Sequence, residues 1–217
     1  MPYLGIVGSI TTIELIFAAV LLKRYLRTKR PLTLCVLLIC IGLFIDAFFI
    51  TIGGPAGGLP DYIGTFRFMA HGLLVPILIP VCGYGLKCKP LTMKILWAIT
   101  AVISILGLSH AFAIQLETVN FEGIIRHTMG SATPMWAMIV SYLLSFGTVI
   151  PLIISGIVIW KKQKNPFLFL SGILMFFFAG LGPAIGKMDL LFIFSMFGEV
   201  LMIVFALLYI IKDEKSL

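Results

Sequence analysis

Residues 64–83 read GTFRFMAHGLLVPILIPVCG. The stretch is apolar over the ~20 residues that cross the hydrocarbon core of a bilayer. It nevertheless carries Arg67 and His71 on adjacent helical turns. A charge at the bilayer centre costs about 2.5–3.5 kcal/mol on insertion scales. These two side chains therefore need an interface, a partner or a wet cavity.

The rest of the chain has the same character. Of its 217 residues 60% are hydrophobic and only 12% charged, and the mean hydropathy is +1.14. A soluble domain is nearer to a quarter charged. The composition implies an all-α, polytopic integral membrane protein with a single transmembrane domain. Seven apolar runs stand out, at 4–22, 32–53, 65–86, 93–114, 134–160, 166–185 and 189–211. Pro and Gly mark almost every break between them. The longest break, QLETVNFEGIIRHTMGSATP (115–134), is the one connection long enough for a lid or a short interfacial helix. No basic n-region precedes the first run, so it is expected to be a retained anchor.

The loop charges set an orientation for this seven-helix bundle. Alternate loops hold Lys23, Arg24, Arg27, Lys29 and Arg30; Lys87, Lys89 and Lys94; Lys161, Lys162 and Lys164; and Lys212 and Lys215. The opposite side has Arg67, Arg126 and Lys187 alone. The positive-inside rule makes the richer side cytoplasmic. The N-terminus is then outside and the C-terminus inside, with the plasma membrane as the expected location. The net charge of +7 is thereby explained without nucleic acid. Cys35, Cys40, Cys82 and Cys88 fall toward the cytoplasmic side and lack CxxC spacing, which fits buried small hydrophobes rather than a redox or zinc motif.

With depth counted at about 1.5 Å per residue, the ionisable groups inside the spans gather on one side. Arg67 lies at the outer interface and His71 two turns in. Asp46 and His110 lie about two turns and one turn below the outer ends of their helices. Glu14 and Glu199 sit nearer the middle. Charged residues within spans usually face a bundle interior or a wet cavity. A polar cavity in the outer half of the bundle is the expected site, lined further by Arg67, Glu14, Ser141 and Ser145. Pro76 and Pro80 cannot donate to the carbonyls one turn before them, which adds acceptors to the same helix.

Three functions fit this set. In the first, His71, His110 and Asp46 bind zinc with water in the fourth position. Asp46 and Glu199 then carry the acid–base chemistry of a membrane enzyme acting on a lipid or small amphiphile. In the second, the same carboxylates and histidines serve a proton-coupled transporter or small-ligand receptor. In the third, His71 and His110 are the axial haem ligands of a b-type cytochrome. Seven helices with membrane-depth His and Asp resemble the alkaline ceramidase and progestin/adiponectin-receptor superfamily. That group has an HxxxH pair in its last helix, where this chain has no histidine, so membership is not assigned. GxSxG, HExxH and phosphate-binding glycine loops are absent from the sequence, and so is a lysine within the last span that could form a retinal Schiff base.

Overall fold

A computed structural model describes residues 2–186 and 188–215. Lys187, one of the three positives assigned above to the poorer side, lies outside the described residues. The chain is helical: α1 (Pro2–Thr28), α2 (Pro31–Gly53), α3 (Asp61–Leu74), α4 (Leu78–Gly85), α5 (Pro90–Ala113), α6 (Met135–Gln163), α7 (Phe167–Ala184) and α8 (Leu191–Lys215). One 3-10 turn, Val75–Ile77, joins α3 to α4, and another, Met188–Leu190, precedes α8. Among the described residues six helices are long and apolar enough to cross a membrane, with α3 and α4 together forming one of them (Asp61–Gly85). The remaining apolar helix, α7, is shorter at 18 residues.

Proline and lysine set the helix boundaries. Pro31 and Pro90 open α2 and α5 after an extended Arg30 and Lys89, positions where a missing N–H and a fixed φ cost nothing. Lys29, Lys87 and Lys164 follow helices in the left-handed conformation, with φ of 52°, 54° and 54°. The lysine amide closes a last turn in each case, Lys29 onto the Tyr25 carbonyl, Lys87 onto the Tyr84 carbonyl and Lys164 onto the Trp160 carbonyl. Pro76 tightens the α3–α4 span into its 3-10 turn. At this kink the Ser104 hydroxyl of α5 donates to the Leu73 carbonyl at 3.0 Å, which meets the rule that backbone at membrane depth is satisfied internally.

The helices pack as a ring in the order α1, α2, α3, α5, α6, α7, α8, with α4 inside it against α2, α5 and α6. α1 packs on α2 and α8; α3 on α5; α4 on α5 and α6; α6 on α7; and α7 on α8. α3 and α5 come closest at Gly72 and Gly107, where a Cβ on Gly72 would meet the Gly107 backbone at 2.7 Å and a Cβ on Gly107 would meet the Gly72 oxygen at 2.4 Å. Only hydrogen at both positions allows this contact.

The segment long enough for a lid or a short interfacial helix forms no helix but an antiparallel β-hairpin, β1 (Leu116–Phe121) paired with β2 (Ile124–Met129). Its two-residue turn, Glu122–Gly123, has φ of 50° and 85°, the positive-φ pair of a type I′ hairpin. The hairpin docks across the end of α2, where a Cβ on Gly53 or Gly54 would strike the carbonyl oxygens of Ile125 and Gly123 at 2.2 Å. Ile124 is fully buried against Val7, Ile10, Ala47, Ile50, Phe192, Ile193 and Met196.

A much larger apolar cluster fills the opposite, lysine-rich end, built from Leu21, Leu32, Leu43, Val81, Leu152, Ile159, Met202, Ile203 and their neighbours. That end is tied together by polar contacts. The Tyr209 hydroxyl donates to the Gly85 carbonyl at 3.2 Å and lies 3.1 Å from Gln163 Oε1. Arg24 pairs with Glu214 and Arg30 with Asp213, and Lys87 stands 3.6 Å from Asp213.

Candidate functional site

Three helices carry a carboxyl from one apolar cluster to the other. On α1, Val7 and Ile10 belong to the hairpin-end cluster and Leu21 to the basic-end cluster, with Glu14 between them. On α2, Leu43 belongs to the basic-end cluster and Ala47 and Ile50 to the hairpin-end cluster, with Asp46 between them. On α8 the order is Met196, Glu199, Met202. Glu14, Asp46 and Glu199 thus form a polar layer sealed by apolar side chains on both sides.

The three carboxyls differ in their surroundings. Asp46 is held by Arg67 of α3: Nε lies 3.0 Å and Nη2 2.9 Å from the same oxygen, Oδ1. The third guanidinium nitrogen, Nη1, donates to the His127 carbonyl of β2 at 3.2 Å. Arg67 is therefore not a snorkelling interfacial residue. It is 7% exposed and joins α2, α3 and the hairpin. Glu199 is buried as well, with Ser195 one turn earlier hydrogen-bonded to its side chain. Glu14 is fully buried and neither carboxyl oxygen has a hydrogen-bond partner. Glu14, Asp46 and Glu199 all lie within electrostatic reach of one another.

A second guanidinium approaches from the hairpin. Arg126 stacks on the Phe192 ring at 4.2 Å, a cation–π contact. Burial, and next the like charge of Arg67, push the Arg126 pKa down to about 10. It therefore remains a cation at neutral pH. Two guanidiniums thus stand near two buried carboxyls, Glu14 and Glu199, and the half-buried Asp46.

The histidines fall into two environments. His71 follows Arg67 by one turn on α3 and lies within reach of the Asp46 and Arg67 charges, but the Asp46 carboxylate is taken by Arg67. His110 of α5 is 3% exposed, both its ring nitrogens lack a partner, and its ring meets Phe68 edge-on at 6.3 Å. Among the described residues no three His, Cys, Asp or Glu side chains are gathered as metal ligands. His71, His110 and Asp46 are thus not drawn together as a three-ligand set, and Arg67 occupies one oxygen of the Asp46 carboxylate. A haem plane between His71 and His110 does not fit either, since α3 and α5 touch backbone to backbone at Gly72 and Gly107.

The serines of α6 are outside the layer. Ser145 lies on the exposed face and its hydroxyl donates to the Ser141 carbonyl at 3.1 Å. Hydroxyls bonded one turn back satisfy themselves within the helix. The buried face of α6 carries Leu144 and Thr148 instead.

His127 was not singled out by the sequence, because it sits in a segment read as a loop. It is 4% exposed, and its Nε2 lies 3.1 Å from Asp61 Oδ1 at the start of α3. Its ring rests on Gly64, where a Cβ would approach Cγ at 2.7 Å. Arg67 through the His127 carbonyl, and Asp61 through its ring, fasten the hairpin over the polar layer. On the face formed by α2, α3 and α5, an apolar groove of about 680 Å³ is lined by Phe49, Tyr62, Phe66, Met69 and Phe112 among others.

No family model matches this chain and no curated protein matches its sequence.

Proposed function

We propose that this is a seven-span plasma-membrane protein, with the hairpin end outside and the lysine-rich end cytoplasmic, that couples proton binding at Glu14 and Glu199 to transport of a small amphiphile. The observation that carries the reading is Glu14: a carboxyl at mid-membrane depth, fully buried, with both oxygens unpartnered. An isolated carboxylate in such a place is far too costly to leave uncompensated, so it takes a proton or a cation. Arg67 already neutralises Asp46, and Arg126 is a further cation near the layer among the described residues. The carboxyls of α1 and α8 are left to exchange the balancing charge. Chains of carboxylates within spans are the usual material of proton relays.

The two seals support a carrier in preference to a pore. The layer is closed at the hairpin end by Ile124 and its neighbours, and at the other end by the larger cluster and the ion pairs of Asp213 and Glu214. A site reached from one side at a time needs two such closures. The apolar groove beside α3 supports an amphiphilic cargo entering from the bilayer, as pockets for such ligands are mostly apolar with few polar groups. The metal-enzyme and cytochrome readings lose their support with the geometry of His71, His110 and Asp46.

The test is modification by dicyclohexylcarbodiimide, a membrane-soluble reagent that attacks protonated carboxyls in apolar surroundings. Mass spectrometry of the modified protein should locate the label on Glu14, with less incorporation as the pH of the vesicles rises and none at that position in Glu14→Gln. No labelling of Glu14 at any pH, with Glu14→Gln folded and indistinguishable in proton uptake by reconstituted vesicles, would overturn the proposal.

A further inference from the structure

The structure assigns a binding site for an anionic phospholipid to the lysine-rich end of α1. Five cations lie in KRYLRTKR, residues 23–30, and the fold disposes of three of them. Arg24 pairs with Glu214 and Arg30 with Asp213, both on α8. Lys29 Nζ lies 5.4 Å from the Tyr25 ring centroid. Lys23 and Arg27 remain, exposed, with no ion pair to any described residue. They stand four residues apart, on one face of α1.

These two cations line a groove of about 530 Å³ together with Val20, Arg24, Thr28 and Glu214. Glu214 is occupied by Arg24, so the net charge offered to a ligand is that of Lys23 and Arg27. The groove continues an apolar track. Ile13, Ile16 and Val20 are exposed and precede Lys23 and Arg27 at alternating spacings of three and four, which keeps all five on one stripe of a helix. A ligand that follows the stripe has an acyl chain against Ile13, Ile16 and Val20, and a phosphate between Lys23 and Arg27. Those are the parts of a phospholipid with a net negative headgroup. A zwitterionic headgroup would bring its own ammonium toward the same two cations, and a free phosphate would leave the apolar track unused.

Native mass spectrometry of the full-length protein in detergent, titrated with dioleoyl phosphatidylglycerol or dioleoyl phosphatidylcholine, tests this site. Each basic residue near a membrane surface contributes about 1 kcal/mol toward an anionic lipid. Lys23→Gln with Arg27→Gln should therefore weaken the tightest phosphatidylglycerol site about thirtyfold, at about 1.4 kcal/mol for each factor of ten. Phosphatidylcholine binding should be unchanged. Lys161→Gln with Lys162→Gln, on α6 outside the groove, is the matched control and should leave the tight site intact. Dihexanoyl phosphatidylglycerol should bind more weakly than the dioleoyl lipid, and millimolar inorganic phosphate should not displace the latter. Equal losses in both double variants, or no loss in the first, would overturn the site. Binding that is indifferent to chain length and displaced by phosphate would mark an anion site instead and overturn the lipid assignment.

Discussion

Replacing Arg67 by methionine keeps the apolar stem of the side chain and removes the guanidinium with its charge. Two contacts to Asp46 Oδ1, at 3.0 and 2.9 Å, and one to the His127 carbonyl, at 3.2 Å, are lost together. Breaking a buried pair by removing one partner costs about 3–5 kcal/mol, because the other charge stays buried. Asp46 keeps 21% of its side chain exposed, so some water reaches it and the lower end, about 3 kcal/mol, is expected. Asp46→Asn keeps an oxygen acceptor for Arg67 but leaves its guanidinium, 7% exposed, without a counter-charge, so about 3 kcal/mol is expected here too. In the double variant no charge is stranded, and the cost should be about 3 kcal/mol, roughly 3 less than the sum of the single changes. Equilibrium unfolding in mixed micelles, through the four proteins of this cycle, measures that coupling. Additivity to within about 0.5 kcal/mol would mean the two side chains do not depend on each other, and would refute the role given to Arg67.

The other predictions concern packing and orientation. Gly107→Ala should destabilise the protein by about 2 kcal/mol, since its Cβ meets backbone that cannot yield and overpacking outweighs the gain in helix propensity; Gly5→Ala, with no atom within 4 Å, should be neutral or slightly stabilising in the same unfolding assay. Gly64→Ala should displace the His127 ring, read as faster hydrogen exchange in residues 116–129 with little change in α8. A membrane-impermeant maleimide should label half-buried Cys88 only from the cytoplasmic face, whereas buried Cys35, Cys40 and Cys82 should react only after denaturation; labelling of Cys88 from outside would reverse the proposed topology.

The helices were legible because their signals are long. Apolar runs of about 20 residues, closed by Pro31, Pro90 or a lysine in a turn, leave little freedom in where a helix begins and ends. The hairpin was not legible. Its strands are six residues each, and its turn is Glu-Gly, a weaker signal than Asn-Gly or Asp-Gly. What holds LETVNF and IIRHTM as strands is tertiary: the seat for Ile124, and glycines 53, 54 and 64 that let the hairpin backbone and the His127 ring lie against α2 and α3.

The candidate site was legible in its depth but not in its pairing. Counting residues along each helix places Glu14, Asp46 and Glu199 within the bilayer. It does not say which side of a helix meets which neighbour: depth alone groups Asp46 with His71 and His110, whereas its partner is Arg67, one turn before His71 on α3. The pairing changes the chemistry. With Asp46 neutralised, Glu14 on α1 and His110 on α5 are left without hydrogen-bond partners, and no metal triad is gathered among the described residues. The two closures of the layer are also unequal. At the hairpin end the seal is Ile124 with part of Phe121, carried on a two-stranded hairpin that is marginal by itself and held by Arg67 and by the His127–Asp61 contact. At the basic end the seal is the main apolar core, contributed by helices that cannot separate without losing most of their packing. Elements that open belong to the low-stability end of a fold. In the carrier proposed above, the polar layer would therefore open first at the hairpin end, where Arg67 binds both Asp46 and the hairpin backbone.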